Sequence, residues 1–538
     1  MAGGPIPGPA ADDGDVTRGR AAVRASRGGA VSVAWWCMLA LLPALLLAGC
    51  TAGSRARGME PREVAEARLE SPEGRGPSAE GAHDAASRPL GREVIESLEF
   101  SPLRFDPPQV DTFELSNGIP VFYLYEPSLP VVEVMADFRG GYVDFDRSHY
   151  AAATLIGPLM LSGGTEALAP DSVDKVVEYY ALSPSFGTAG AVSFSSIGSL
   201  RRHFDVALSL WTDMLRRPRL DPERVEVRRL QELESVRRMR DLPNTVAIRA
   251  FNQLMYGDHS TGWTLEESDL TPEHVSAERL RRVHREIFCR DNMLLGVAGD
   301  ITRDELVPKL EAAFGDWPPC PRDLGKPTAP PVRKEGGVLV VHKELEQSTI
   351  VMGQAGGIAR SDGEPYFTSQ IANWILGGGG FSSRLLSRLR TEEGLAYQAY
   401  SVWTTGSRTE RVFGAFTQTK AETTIAAAER IRETIAAMRE APPAEEEVRL
   451  AVDNIANGFV FAFENAGQIV RRQMTYRLGG LPSDWLQRYL DGIQAVTPDA
   501  VHEVVRNHLD PDNFSIVIIG DTTRFDAAPS TLGPRIER

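Results

Sequence analysis

The chain has 538 residues, of which 42% are hydrophobic and 24% charged, which is the composition of an ordinary globular protein. That length suffices for roughly two to four domains with large cores. The net charge of −15 argues against nucleic acid as a partner, because phosphate binding needs clustered lysine and arginine.

The N-terminal segment has the pattern of an export signal. Four arginines between positions 18 and 27 precede an apolar run that ends in Leu-Ala-Gly-Cys at Cys50. These are the positive and apolar regions of a secretory signal, and the ending resembles a bacterial lipobox, in which Cys50 carries lipid. An ordinary signal with an incidental cysteine and a short membrane anchor are the alternatives. Residues 1–50 are therefore predicted to be a lipoprotein signal peptide.

The lipobox resemblance also predicts a location. Thr51 follows the cysteine where aspartate would be the inner-membrane signal, so similarity to Gram-negative sorting implies the outer membrane, facing the periplasm. Residues 51–105 are rich in Gly, Ser, Ala, Arg and Glu without apolar periodicity, which indicates a flexible tether.

The globular part begins with strand patterns and continues with helices. Asn117-Gly118 lies between two apolar runs and predicts a hairpin, because a tight turn needs positive φ at its centre. Residues 131–138 alternate as in a half-buried strand. Apolar residues at helical spacing from Leu200 to Leu215 predict one helix, and residues 222–240, dense in Arg and Glu, predict a second.

A long-range repeat organises the rest of the chain. Residues 271–303 and 497–524 both contain a helix pattern, an Asp-Asn turn, an apolar strand and then Gly-Asp. The two Gly-Asp aspartates, Asp300 and Asp521, are 521 − 300 = 221 positions apart, which is far longer than a solenoid period and indicates two copies of a domain. The fold class is therefore α+β, with two homologous domains, each an antiparallel-rich sheet with helices packed on one face.

The repeat sets the predicted boundaries. They are an N-terminal domain at 106–317, a Pro-rich linker at 318–337, a C-terminal domain at 338–528 and a tail at 529–538. Within the second domain, Gly377 to Gly380 are expected to form a flexible turn before a helix that Ser382 or Ser383 caps. This glycine run lacks the Lys-Ser/Thr of a phosphate-binding loop.

The chain resembles the insulinase or pitrilysin family of zinc metallopeptidases in three features. They are the two-copy organisation, "LMLSGGT" in the first copy and "GGGGFSSRLLSRLRTEEGLAYQAYS" in the second. The resemblance covers residues of about 110 to 525 and implies that the chain is half of a clamshell. Family members carry H-x-x-E-H on a helix that ends in Gly-Thr, where two histidines and a distal glutamate hold zinc and the motif glutamate is the general base.

This chain departs from that motif. With Gly164-Thr165 as the anchor, Leu155 and Leu159 stand where the two histidines belong, and Pro158 replaces the glutamate. Leucine has no lone pair, and proline has no acid–base group and is expected to perturb a helix interior. The distal position falls on Glu234 or Ser235, and a single carboxylate is not a zinc site. No metal or other cofactor is expected on this chain.

The second copy keeps its part of the pattern. Arg390 and Tyr397 in "RTEEGLAY" have the seven-residue spacing of the Arg–Tyr pair that family members supply from the domain facing the zinc. Arginine offers a rigid fork of donors for substrate carbonyls, and a tyrosine hydroxyl can donate to the oxyanion formed when water attacks a peptide bond. Taken singly, each residue could equally be an ordinary surface arginine or a half-buried tyrosine.

The resemblance implies a zinc-less subunit of a two-subunit peptidase, in which an H-x-x-E-H partner of similar length binds the zinc and Arg390 and Tyr397 bind the peptide substrate and stabilise the oxyanion. The alternative is a non-enzymatic peptide-binding or structural scaffold derived from the same family. The sequence leaves open whether Cys289 and Cys320 form a disulfide, since two cysteines are too few for a disulfide framework.

Overall fold

The computed structural model describes residues 109–325, 329–361, 363–406 and 410–537. The signal peptide, Cys50 and the tether lie outside these residues. Within them the chain forms eleven strands and fourteen α-helices, which we assign to a first half (109–325) and a second half (329–537).

The first half contains strands β1 Asp111–Glu114, β2 Pro120–Tyr125, β3 Val131–Arg139, β4 Ser183–Ala189, β5 Val192–Leu200 and β6 Met293–Gly299. Its helices are α1 Arg147–Ser162, α2 Pro170–Tyr179, α3 Phe204–Arg216, α4 Pro222–Met239, α5 Pro243–Tyr256, α6 Ala277–Ile287 and α7 Arg303–Phe314. The second half contains strands β7 Gly337–His342, β8 Gln347–Ala355, β9 Ala396–Thr405, β10 Glu410–Lys420 and β11 Ser515–Gly520. Its helices are α8 Glu364–Asn373, α9 Arg384–Leu386, α10 Thr424–Glu440, α11 Glu445–Gly458, α12 Ala466–Gly479, α13 Trp485–Gln494 and α14 Pro498–His508.

The two sheets have the same connectivity. The first has the order β1-β2-β6-β3-β5-β4 and the second the order β7-β11-β8-β10-β9. In both, the first strand of the repeat lies parallel to the last one (β2 with β6, β7 with β11), and the remaining pairs are antiparallel. Without β1, the two orders are identical strand for strand. The predicted α+β fold with two homologous, antiparallel-rich sheets is confirmed.

Local signals account for most element ends. The predicted hairpin joins β1 to β2, and Gly118 takes the positive φ (84°) that the turn needs. Asp221 caps α4, its carboxylate accepting hydrogen bonds from the amides of Glu223 and Arg224. One prediction fails at its boundary: Leu200 is the last residue of β5, and the helix begins only at Phe204, after a short 3₁₀ turn.

Each sheet is covered on its second face by a helix from the other half. Helix α12 packs on β2, β3 and β6 of the first sheet, and α5 packs on β8 and β11 of the second. The buried residues joining α12 to the first sheet are Phe122, Met135, Leu294, Ala298, Val470 and Met474. Within each half, the prediction of helices on one face of the sheet holds. The opposite face is covered by the helix that the other half contributes, which we call the helix exchange. Strand β3 therefore lies between two apolar layers.

The exchange buries a polar pair between the halves. Asp137 of β3 is 5% exposed and its carboxylate lies 3.2 Å from the guanidinium of Arg471 on α12. Glu133, four residues earlier on the same face of β3, lies 3.6 Å from the same guanidinium. Burial raises the pKa of Asp137 to about 6, and the Arg471 charge opposes that shift. Strand alternation predicts Asp137 on a solvated face; it is buried because α12 comes from the other half.

Cys289 and Cys320 form a disulfide, with Cα atoms 5.0 Å apart, which settles the point that the sequence leaves open. The bond fixes the chain that follows α7 to the loop that follows α6. Among the described residues, no helix is both long and apolar enough to cross a membrane.

Candidate functional site

The helix that corresponds to the zinc helix is part of the core. Leu155 on α1 is 1% exposed and Leu159 is fully buried, whereas Pro158 is half-buried. The helix runs without interruption through Pro158, so the expected perturbation by proline does not occur. Gly157 brings α1 against β4, where a methyl group added at its Cα would lie 2.8 Å from the backbone of Gly187. No side chain at these positions can ligate a metal.

The remaining candidate ligands are dispersed or used structurally. Glu234 is exposed on α4, and Ser235 beside it is half-buried. His149, at the start of α1, contacts the carboxylate of Asp146. His284 is hydrogen-bonded to a backbone carbonyl, and burial lowers its pKa to about 4. The described part of the chain contains no cluster of three or more His, Cys, Asp or Glu residues that could hold a metal ion.

The equivalent place in the second half follows β8 and has an irregular backbone. Helix α8 continues as a π turn, Trp374–Gly378, and a second π turn, Ser387–Glu392, follows α9. Gly380 and Gly394 have φ of 59° and 62°, and a Cβ built on either meets no atom within 4 Å. Backbone conformation, not space, therefore requires glycine at these two positions. π turns of this kind occur frequently at functional sites.

This geometry corrects the prediction for the glycine run. Gly377 is helical, because it lies in the first π turn, and only the end of the run forms a turn. Ser383 is the residue before α9, as predicted, but its hydroxyl donates to the carbonyl of Gly380 instead of capping the helix.

Tyr397 projects from a bulge at the start of edge strand β9. Ala396 pairs with Thr419 and Gln398 pairs with Gln418, so that Tyr397 has no partner on β10. The extra residue allows Ala396 and Ala399 to be buried while the Tyr397 side chain remains 78% exposed. Such bulges commonly reorient a side chain beside an active site.

Arg390 lies between two exposed aromatic rings. Its guanidinium carbon is 4.9 Å from the ring centre of Phe381 and 4.5 Å from that of Tyr397. We call Phe381, Arg390 and Tyr397 the Arg390 stack. The structure therefore brings the two sequence-predicted residues into contact and adds Phe381, to which the sequence assigns no role. A phenylalanine set between glycines and serines is the sequence signal that could have identified it, and in the structure this residue is 70% exposed.

Arg390 differs from its neighbours in electrostatic surroundings. Arg384 forms two hydrogen bonds with Glu447, which lower the pKa of that carboxyl group. Arg388 is paired with Glu392 and Glu393. Within the described ranges, Arg390 forms no ion pair and no side-chain hydrogen bond, and it makes cation–π contacts with the two rings.

A surface groove of about 880 Å³ lies elsewhere, between α3, α6, α7 and the segment that follows α7. Its walls include Arg216, His284 and Trp317, and it contains no residue of α1 or of the Arg390 stack. We therefore take the stack, with its exposed Tyr397 and half-buried Arg390, as the candidate functional site.

The fold and this asymmetry between the halves define the class of protein. Solved structures with the same architecture include a peptidase M16 inactive domain from Pseudomonas fluorescens, which has a TM-score of 0.68, is 21% identical and covers 80% of this chain and 100% of its own. The periplasmic protease PqqL from Escherichia coli has a TM-score of 0.67 at 12% identity over 79% of this chain and 47% of its own. The architecture is thus that of an M16 inactive-domain clamshell half.

Sequence comparison shows similarity to the same family. Residues 274–455 match the model of the peptidase M16 inactive domain. An uncharacterized zinc protease of Streptomyces coelicolor is 27% identical over 56% of this chain and 66% of its own length. The protein named Non-peptidase homolog YmxG of Helicobacter pylori is 20% identical over 75% of this chain and 92% of its own length. The predicted resemblance to the insulinase (M16) peptidase family is confirmed: residues 274–455 match the model of its inactive domain, and the chain is similar in sequence to both relatives.

Proposed function

We propose that the chain is the zinc-less subunit of a heteromeric insulinase-type metallopeptidase. Its partner is a chain of similar length that carries H-x-x-E-H and binds zinc. The observation that carries this proposal is the contrast between α1, whose motif positions are apolar and packed, and the Arg390 stack, in which Tyr397 is exposed beside the half-buried Arg390. A purely structural scaffold, which binds no peptide, has no use for an exposed tyrosine beside this arginine.

In the complex, the partner's zinc supplies the activated water and this chain supplies donors. The Tyr397 hydroxyl donates a hydrogen bond to the oxyanion that develops on the scissile carbonyl. Arg390 holds the peptide in register through its fork of N–H donors. Phe381 and Tyr397 keep the guanidinium in place between their rings, so that it needs little reorganisation when substrate arrives.

The same proposal includes a periplasmic location, with the chain anchored to the outer membrane through lipid on Cys50. The lipobox-like ending of the apolar run supports it. The Cys289–Cys320 disulfide supports it independently, because disulfides persist in oxidising compartments such as the periplasm. Cys50→Ser is expected to release the protein from the outer-membrane fraction, and mass spectrometry of the wild type is expected to find lipid at that residue.

The second candidate function is a peptide-binding scaffold without proteolysis. The similarity to the Helicobacter pylori protein named as a non-peptidase homolog, which extends over 92% of that protein, favours it. In this case the chain binds peptides but no complex containing it cleaves them.

Reconstitution separates the two. The purified chain alone is expected to contain no stoichiometric zinc and to cleave no peptide. Mixed with the H-x-x-E-H partner, it is expected to co-elute in size exclusion and to give an activity that chelator abolishes and zinc restores. Co-elution without any activity would favour the scaffold, and about one zinc per chain in the isolated protein would contradict the proposal.

A further inference from the structure

The charge of Arg390 is the feature of the stack that oxyanion chemistry does not explain. The chain has 73 acidic and 58 basic residues, so acidic partners are in excess. Glu392 and Glu393 lie only two and three positions away, yet they pair with Arg388 and Arg430. In the described part of the chain, Arg390 is thus left without an anion although two carboxylates are close in sequence.

The surroundings of Arg390 favour one kind of ligand. Two rings cover the guanidinium, which leaves N–H donors at its edge, and a carboxylate accepts two of them in parallel. A neutral carbonyl could accept one but would leave the charge unmatched. Arg390 itself is half-buried, so a carboxylate that meets it is attracted more strongly than it would be by a fully solvated charge.

We propose that the Arg390 stack is a carboxylate-recognition site, so that the peptides bound by this chain present an acidic side chain or a free C-terminus at the stack. This inference rests on the proposed function for its peptide ligand and names the substrate class. Phe381 is a positioning residue in this scheme: it acts through Arg390 by holding the guanidinium against Tyr397. The bulk charge of −15 repels acidic peptides, so any preference for them must arise locally.

The test uses the full chain and four fluorescein-labelled Gly-Ser decapeptides, followed by fluorescence anisotropy. One has an internal glutamate and an amidated C-terminus, the second has glutamine at that position and an amidated C-terminus, and the third has glutamine and a free C-terminus. The fourth has glutamate and a free C-terminus. We expect at least one single-carboxylate peptide to bind about 10–100-fold more tightly than the neutral one, as for other hydrogen bonds to charged groups. The single-carboxylate peptide that binds more tightly shows whether the recognised carboxylate belongs to a side chain or to the C-terminus.

Variants assign the preference to the stack. Arg390→Gln is expected to abolish the discrimination between charged and neutral peptides, and Arg390→Lys to retain only part of it, because lysine lacks the fork. Phe381→Leu is expected to weaken it by about 2–5-fold through loss of one cation–π contact. Arg472, which lies over the rings of Phe459 and Phe463, is the matched control, and Arg472→Gln is expected to change nothing.

The outcomes separate this inference from the proposed function. Tyr397→Phe keeps the ring and is expected to leave peptide discrimination intact while it lowers cleavage by the reconstituted pair. Equal affinity for all four peptides, or the same loss in Arg472→Gln as in Arg390→Gln, would overturn the inference even if the pair is proteolytic. Arg390-dependent binding of acidic peptides by a chain that never supports cleavage would uphold the inference and reject the peptidase subunit.

Discussion

Helix α1 and the segment 374–397 occupy equivalent places in two copies of one topology, each after the second of the five strands that the two sheets share, yet they differ in almost every physical respect. Both bring a glycine against the backbone of an edge strand, Gly157 against Gly187 and Gly377 against Ser401. Beyond that contact, α1 is a regular helix whose motif positions are core, whereas the second segment contains two π turns, two left-handed glycines and a bulge.

The difference shows how a paired active site can lose one member. Replacing polar ligands with leucine at 155 and 159 lets the site contribute to the core, since burying a leucine is favourable by roughly 1.5–3 kcal/mol. Irregular backbone has the opposite effect, since each strained residue costs about 1–3 kcal/mol and persists only where the surroundings impose it. The irregular backbone lies in the second segment and not in α1, which agrees with our proposal that the Arg390 stack binds the ligand.

The largest effect is expected at the Tyr397 hydroxyl. Tyr397→Phe keeps the ring that contacts Arg390 and removes one oxyanion donor, which should lower kcat of the reconstituted pair by about 10²–10³. Steady-state kinetics measures it, with size exclusion to show that assembly is unchanged. Tyr179, which is 77% exposed on α2, is the matched control, and Tyr179→Phe should leave kcat as it is. If Tyr397→Phe changes kcat by less than about twofold, neither copy supplies a catalytic group, and the scaffold is favoured.

The next effect concerns α1 as core. Leu155→Ala should lower the free energy of unfolding by about 3 kcal/mol, through lost burial and a cavity, without changing kcat of the folded pair. Urea unfolding followed by circular dichroism measures the loss. Leu161 on the same helix is half-buried, so Leu161→Ala should cost less than half as much. A fall in kcat for Leu155→Ala with unchanged stability would mean that α1 still has a role in the reaction.

A smaller effect tests the close contact of the second copy. A Cβ at Gly377 would lie 2.2 Å from the amide nitrogen of Ser401, so Gly377→Ala must displace the π turn from β9 and should cost roughly 1–3 kcal/mol. Gly458, at the end of α11, meets no atom within 4 Å, and Gly458→Ala should be neutral or stabilise by up to about 1 kcal/mol. Thermal unfolding compares the two. Equal effects would show that the edge-strand contact is not tight.

The sequence predicts those features that depend on local pattern. Three signals are short stretches of sequence: the pattern that recurs after 221 residues, the Asn117-Gly118 turn and the Gly-Thr anchor. They suffice to predict the repeated topology and the absence of the zinc motif. The helix exchange is not local: nothing on β3 shows that a helix more than 300 residues later covers its second face, which is why Asp137 is predicted in solvent. The role of Phe381 is missed for the same reason, since only the turn at Gly380 brings its ring to Arg390.

The last effect is a slope with pH, and it tests whether the two copies are joined through β3 and α12. The folded state raises the pKa of Asp137 to about 6 from an ordinary value of 3.8, so it binds the proton more tightly than the unfolded chain does. Stability from this group is therefore fully present below about pH 4 and is lost as pH rises towards 6. The loss amounts to at most about 1.4 kcal/mol per pH unit.

Asp137→Asn removes this titration. The free energy of unfolding of the variant minus that of the wild type should therefore rise between pH 4 and 6 and level off above pH 6, as measured by urea unfolding at a series of pH values. Glu133→Gln is the control: Glu133 is a neighbour of Arg471 but is more exposed than Asp137, so this variant should retain the wild-type slope. Parallel curves for Asp137→Asn and the wild type would mean that Asp137 is solvated, that α12 does not seal β3, and that the halves are less closely joined than the helix exchange requires.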